Sequence, residues 1–305
     1  LDLDYTQITD AGCAALAAAL DSGALPALKE LNLDGTPASD AAKQAVYEAM
    51  ARSRAAALAE AAAALCVQMG MQSCKELREA KKVQCINKGL SEADLAALAT
   101  LGSELPALEW LSLSENSGSA DLDGVQRLAE GLVAGALPAM ADFSINGMYV
   151  GKAGASAIAA ALDRGALPRL EALVLADADI GDAGLAALAP ALRRRRKLER
   201  LHLDGNPFGD EGLAALLAPP PPARGLKKLE VLDLDDTQVS DVGCAILAAA
   251  LDSGALPALK QLDLDGIPAS NAAIDAVRAA QGRSKRKLKK RKKRQVERGA
   301  ASFTG

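Results

Sequence analysis

One unit recurs along this chain and leaves few folds open. It reads Leu-x-x-Leu-x-Leu, then a short polar turn, an Ala/Leu-rich stretch and Gly-Ala-Leu-Pro-Ala. Its strand leucine stands at Leu1, Leu31, Leu111, Leu173, Leu201, Leu232 and Leu262, with Phe143 in the same place and Val83 as a weaker instance. Apart from one gap between Leu31 and Val83, successive positions lie 28 to 32 residues apart. In Leu-x-Leu both leucines face one way and the intervening residues the other, as in a strand. The stretch Gly184 to Leu192 has the three-and-four spacing of an amphipathic helix. Gly165 and Gly254 fit helix termination, and Pro168 and Pro257 fit the approach to the next strand. One strand and one helix cannot bury an apolar face alone, but stacked units can. The expected fold is therefore α/β, a curved right-handed solenoid with parallel strands on the concave face and helices on the convex face.

Composition supports a layered core. Half of the 305 residues are hydrophobic but only 2% are aromatic, so Leu and Ala must fill the interior. The nearest candidate for a membrane span, Ala55 to Met71, is alanine-dominated and carries Glu60, and reads as a protein-packed helix. No secretory signal is visible. The chain starts inside a repeat motif, which reads as the start of a fragment, so a lost leader stays open. The five cysteines have neither metal spacing nor a disulfide framework. Cys13 and Cys244 occupy equivalent apolar helix positions, which favours buried thiols and a reducing compartment, cytoplasmic or nuclear.

The segment Leu198-Glu-Arg-Leu201-His-Leu203-Asp-Gly-Asn206-Pro-Phe-Gly-Asp-Glu-Gly212 resembles the leucine-rich-repeat family, in its ribonuclease-inhibitor-like class of long, helical repeats. The likeness recurs over most of the chain. It departs from the family at the turn asparagine. Asn116 and Asn206 fit, but the equivalent positions hold Thr6, Thr36, Met148, Ala178, Thr237 and Ile267. Threonine can partly replace the amide; Met, Ala and Ile cannot, which predicts looser turns there.

Residues 1–54 match 232–285 at 38 positions. The predicted organisation is an end of a repeat array at 1–54, a helical joint or insertion at 55–82, a repeat array at 83–282 and a basic disordered tail at 283–305. One continuous solenoid and two successive arrays both remain open.

The net charge of −4 hides an asymmetry. Residues 283–298 hold 11 Lys or Arg against Glu297, leaving 24 basic against 38 acidic residues elsewhere. Such a block of like charge has little to bury and should be disordered or transiently helical. Within it, Lys289, Lys290, Arg291, Lys292, Lys293 and Arg294 resemble a nuclear-import signal and would also hold phosphates nonspecifically. The acidic excess falls on concave positions: Asp204, Asp233, Asp235, Asp263 and Asp265 in three consecutive repeats, and Asp2, Asp4 and Asp34 in the first copy. This is either a cradle for a basic partner or a solvated face, and the chain's own tail could fold onto it. Further along, the concave set becomes nearly neutral with Trp110, Ser112, Ser114, Asp142, Ser144 and Asn146. Trp110 either faces the concavity as a binding hot spot or packs on the end helix. Arg200 and His202 complete the set. His202 lacks a Ser or Cys nucleophile at matching periodicity and reads as a contact residue rather than an acid–base group. The run Arg193 to Lys197 reads as a solvated helix terminus, and Pro219 to Pro222 as a stiff rim loop.

No catalytic set, metal set or cofactor motif is found. The expected function is a non-catalytic interaction scaffold that holds a protein partner, with the acidic half favouring a basic one. Two other readings stand. The resemblance implies, as the main rival, a GTPase activator of the Ran-type repeat class. The tail suggests nucleic-acid or chromatin adhesion.

Overall fold

The computed structural model describes residues 1–25, 28, 30–114, 124–218 and 226–301, with 289–301 as backbone alone. Asn116, the Pro219 to Pro222 run and the side chains of Lys289 to Arg294 lie outside the described parts. The chain divides into two compact units, Leu1–Leu65 and Cys66–Gly305.

The first unit contains α1 (Asp10–Asp21) and most of α2 (Asp40–Gln68), with one parallel bridge between Asp2 and Asn32. Its core gathers Leu20, Leu31, Leu33, Val46 and Ala49 around Cys13. The hydroxyls of Thr6 and Thr36 donate to the carbonyls of Leu3 and Leu33, which turns the chain after each strand position. Residue 54, taken from the sequence as a boundary, lies within α2, and the helix runs unbroken past it.

The second unit alternates helix and strand: α3 (Cys74–Glu79), β1 (Lys82–Gln84), α4 (Glu92–Leu101), β2 (Trp110–Ser112), α5 (Gly124–Gly131), β3 (Asp142–Ser144), α6 (Gly151–Arg164), β4 (Ala172–Val174), α7 (Asp182–Arg194), β5 (Arg200–His202), α8 (Asp210–Leu217), β6 (Val231–Asp233), α9 (Asp241–Ser253), β7 (Gln261–Asp263) and α10 (Asn271–Ala301). The seven strands form one parallel sheet in chain order. From α4 to α10, consecutive helices pack on one another behind it. The result is a curved solenoid whose strands line the concave face. The central register row is Val83, Leu111, Phe143, Leu173, Leu201, Leu232 and Leu262, the positions marked by the sequence repeat. All are buried except Leu262, which sits half-buried on the last strand of the sheet. Among the described residues no helix is long and apolar enough to cross a membrane.

Local chemistry explains the helix ends. Gly165 and Gly254 adopt left-handed φ values of 94° and 80°, and their N–H groups donate back into the last turn. A side chain would strain that geometry.

The turn at Ala178 departs from the expectation of looseness. Asn206 is fully buried, and its Oδ1 accepts from the N–H groups of Ala178 and Ile180 in the preceding repeat. Thus the turn at Ala178, which has no amide of its own, borrows one from the next repeat. Thr237 donates to Leu234 O at 2.8 Å within its own repeat. Met148 and Ala178 are buried and fill the turn from inside.

Residue 283, where a disordered tail was expected to begin, lies within a helix. Helix α10 continues to Ala301. Val277 and Ala280 anchor its first turns in the core. Arg283 then grips both carboxylate oxygens of Asp252 at 3.0 and 2.7 Å, and Lys287 donates to Asp252 O. Like charge alone argued for disorder, but the first cations of the block have carboxylate and carbonyl partners in the repeat before them.

Candidate partner-binding surface

Strand register decides which concave residues meet. Three rows cross the sheet. The first runs Lys82, Trp110, Asp142, Ala172, Arg200, Val231, Gln261, and the second runs Gln84, Ser112, Ser144, Val174, His202, Asp233, Asp263. Two residues beyond the second row lie Asp204, Asp235 and Asp265. Parallel strands stand about 4.8 Å apart, so residues in one row are lateral neighbours.

The predicted site residues separate into three situations. Arg200 Nη2 reaches Asp142 Oδ1 at 2.7 Å across the intervening strand. The residue between them is Ala172, whose small side chain leaves the crossing open. These two charges neutralise each other instead of facing a partner separately. Ser112 and Ser114 are buried, and their hydroxyls lie 2.8 Å apart. Ser112 therefore presents little surface, while Trp110 and Ser144 are half-buried.

The remaining predicted residues do converge. His202 Nδ1 lies 3.4 Å from Asp233 Oδ2. The ligand atoms of His202, Asp204 and Asp233 all fall within 4.8 Å of one another, although no buried unpaired polar atom among the described residues belongs to the group. Asp265 N–H donates to Asp235 Oδ1 at 2.6 Å, Asp235 N–H to Asp233 Oδ1 at 3.2 Å, and Gln261 Nε2 to Asp263 Oδ2 at 2.8 Å. These bonds hold the carboxylates in place without neutralising them.

Electrostatics register the crowding. Partial burial, and then the charge of Asp233, push Asp204 above the ordinary carboxylate value. Asp235 is also raised, by partial burial first and by Asp233, Asp263 and Asp265 in addition. Because the folded state resists ionising these two groups, it binds more protons than the unfolded chain just above pH 3.8. Their contribution to stability is therefore greatest below that value and falls as pH rises through the raised pKa. The variant Asp204→Asn should unfold at a higher urea concentration than the wild type at pH 7. The two should converge near pH 3, where both are neutral; a gain that persists undiminished at pH 3 would assign the effect to packing.

The acidic character continues onto the turn rim, which sequence reasoning missed. Asp177, Asp179 and Asp236 there adopt left-handed φ values of 50° to 54°. With Gly205 and Gln238 they line an open groove of about 410 Å³. Also missed were the ties between repeats. Asp10, Asp210 and Asp241, each opening a helix, accept from both the N–H and the hydroxyl of Ser39, Ser240 and Ser270 in the following repeat. Asp182 does the same for the N–H groups of Gly209 and Gly212. Asp21, Asp163 and Asp252, at the ends of α1, α6 and α9, form two-pronged pairs with Arg52, Arg194 and Arg283, each 31 residues later. Arg194 belongs to the run read as a solvated terminus. In fact Arg193 and Arg195 also donate to the carbonyls of Ala215 and Leu162, so the run stitches three repeats together. The recurrence of Asp and Arg at a spacing of 31 was the available signal.

A leucine rich repeat family pattern matches residues 1–17, 167–189, 196–217 and 225–248. No curated protein sequence matches the chain significantly. Among solved structures, the chain is similar to actin-binding site 2 of leiomodin-1 at 16% identity, covering 59% of this chain and 95% of that one with a TM-score of 0.37. It is similar to a pollen receptor kinase 3 at 17% identity, covering 63% and 76% with a TM-score of 0.35. It is also similar to InlP of Listeria monocytogenes at 11% identity, covering 68% and 51% with a TM-score of 0.38.

Proposed function

We propose that this leucine-rich-repeat protein is a non-catalytic scaffold that holds a basic protein segment against the concave face of β5 to β7. The observation that supports this most is the field of carboxylates there. Asp233 and Asp263 are register partners, Asp204, Asp235 and Asp265 lie two residues beyond that row, and the one cation on these strands, Arg200, is already paired with Asp142. Like charges placed side by side oppose folding. A partner bearing Lys or Arg would relieve that repulsion on binding, and complementary charge also speeds encounter. On β5 to β7 His202 has a carboxylate beside it but no Ser or Cys, so the nucleophile of a hydrolytic site is missing next to it.

The test uses a fluorescent nona-lysine peptide and, as control, nona-glutamate, with binding followed by anisotropy. The full chain should bind the basic peptide, more weakly as salt rises, and any binding of the acidic one, through the Lys and Arg of 283–298, should be the same in the wild type and in the double variant below. The double variant Asp233→Lys, Asp263→Lys should bind about ten-fold more weakly, as expected for reversal of interfacial charges. Equal affinity in the wild type and the double variant would overturn the assignment of the surface.

A further inference from the structure

The sulfurs of Cys66 and Cys74 stand 3.0 Å apart where α2 ends and α3 begins. Both belong to the second unit. The seven residues between them turn through Gly70 at a φ of +80°. Backbone bonds hold this turn without help from sulfur: Gly70 N–H donates to Val67 O at 2.9 Å, and Met71 N–H to Cys66 O at 2.8 Å. Met69 and Leu77, both buried, pin the two sides of the turn. A disulfide requires about 2.0 Å between sulfurs, so closure needs only about 1 Å of movement. The two thiols differ in access. Cys66 is 2% exposed, whereas Cys74 is half-buried and can be reached from solvent.

We propose that Cys66 and Cys74 form a reversible disulfide, and that this turn is a thiol–disulfide exchange site for small disulfides of the oxidised-glutathione class. The Cys74 thiolate attacks one sulfur of oxidised glutathione, forming a mixed disulfide and releasing one glutathione thiolate. The Cys66 thiolate then attacks the Cys74 sulfur, the Cys66–Cys74 bond forms, and the second glutathione thiolate leaves. Two protein thiols are oxidised, one small disulfide is reduced to two thiols, and the two protons pass through solvent to the departing glutathione. The order follows from access and from acidity. Burial first, then contact with Cys74, pushes the Cys66 thiol up to about 12, so Cys66 serves as the slow, resolving thiol.

Trypsin cuts after Arg54 and Lys75, which leaves both cysteines on the single peptide 55–75. The full chain is incubated with oxidised glutathione, denatured, alkylated without reduction and digested. The expected peptide carries no alkyl group and is lighter by two hydrogens, and dithiothreitol restores two alkylation sites. Because the thiolate is the attacking form, closure should quicken as pH rises above neutrality. Cys66→Ser should stop at a stable glutathione adduct on Cys74. A wild-type peptide that alkylates twice after oxidant treatment would overturn the proposal. So would one that keeps glutathione on Cys74 while Cys66 still alkylates, and neither result depends on how a variant folds.

Discussion

Replacing Asn206 by alanine should lower the stability of the second unit by about 3–5 kcal/mol. The side-chain amide is buried and fully engaged. It accepts from Ala178 and Ile180 N–H at 3.2 and 2.9 Å, and donates to Leu175 and Leu203 carbonyls at 2.7 and 2.9 Å. Alanine would leave these backbone groups buried without partners, and each such orphan costs about 1–3 kcal/mol. Three of the four belong to the preceding repeat, so the loss should not stay local. In a stacked array, stability is close to a sum of repeat and interface contributions. A weakened interface between β4 and β5 should therefore split one unfolding transition into two. Asn206→Thr makes the sharper comparison. Threonine can restore a bond to Leu203 O, as Thr237 does to Leu234 O, but cannot reach back to Ala178 and Ile180. Its loss should be intermediate. Urea unfolding followed by circular dichroism reads all three proteins, and a loss below about 1 kcal/mol for alanine would mean that water takes the amide's place.

Phe208→Ala should cost a similar amount, about 3–5 kcal/mol. Among the described residues of the unit, Phe208 is the largest fully buried side chain. The equivalent turn positions of the flanking repeats hold Ile180 and Val239, both also fully buried. A phenylalanine between smaller aliphatics fills volume that neither flank can supply, so truncation leaves a cavity rather than a collapse. Its backbone also matters, since Gln238 N–H donates to Phe208 O at 2.9 Å. Phe208→Ile keeps the shape class of the flanking turns and should lose less than about 1.5 kcal/mol. Equal losses for Ala and Ile, measured by the same unfolding midpoint, would show that ring geometry rather than filled volume sets the energy.

The candidate surface was only partly legible in the sequence. Alternation told which residues leave the leucine face, so His202, Asp204, Asp233, Asp235, Asp263 and Asp265 could be named together. Alternation says nothing about lateral pairing. Arg200 looked like an available cation until register set it two strands from Asp142 with only Ala172 between. Ser112 looked like a polar contact until its burial beside Ser114 was seen. The basic block shows the same limit. Composition weighed the repulsion within Arg283 to Arg298 but could not weigh Asp252, which lies 31 residues before Arg283 and directly beside it in space.

What the sequence determined by itself is whatever one repeat contains: the Leu-x-Leu strand, the amphipathic helix, its glycine stop and the near-constant period. Steric and hydrophobic preferences of adjacent residues fix these, and they repeat because the unit repeats. The tertiary structure decided everything that joins one repeat to the next: the loan of the Asn206 amide to Ala178, the Asp–Ser and Asp–Arg ties, the neutralised Arg200 and the meeting of Cys66 with Cys74. Those contacts depend on distances across strands and between helix ends, which follow from stacking and register rather than from any residue's own neighbours in the chain.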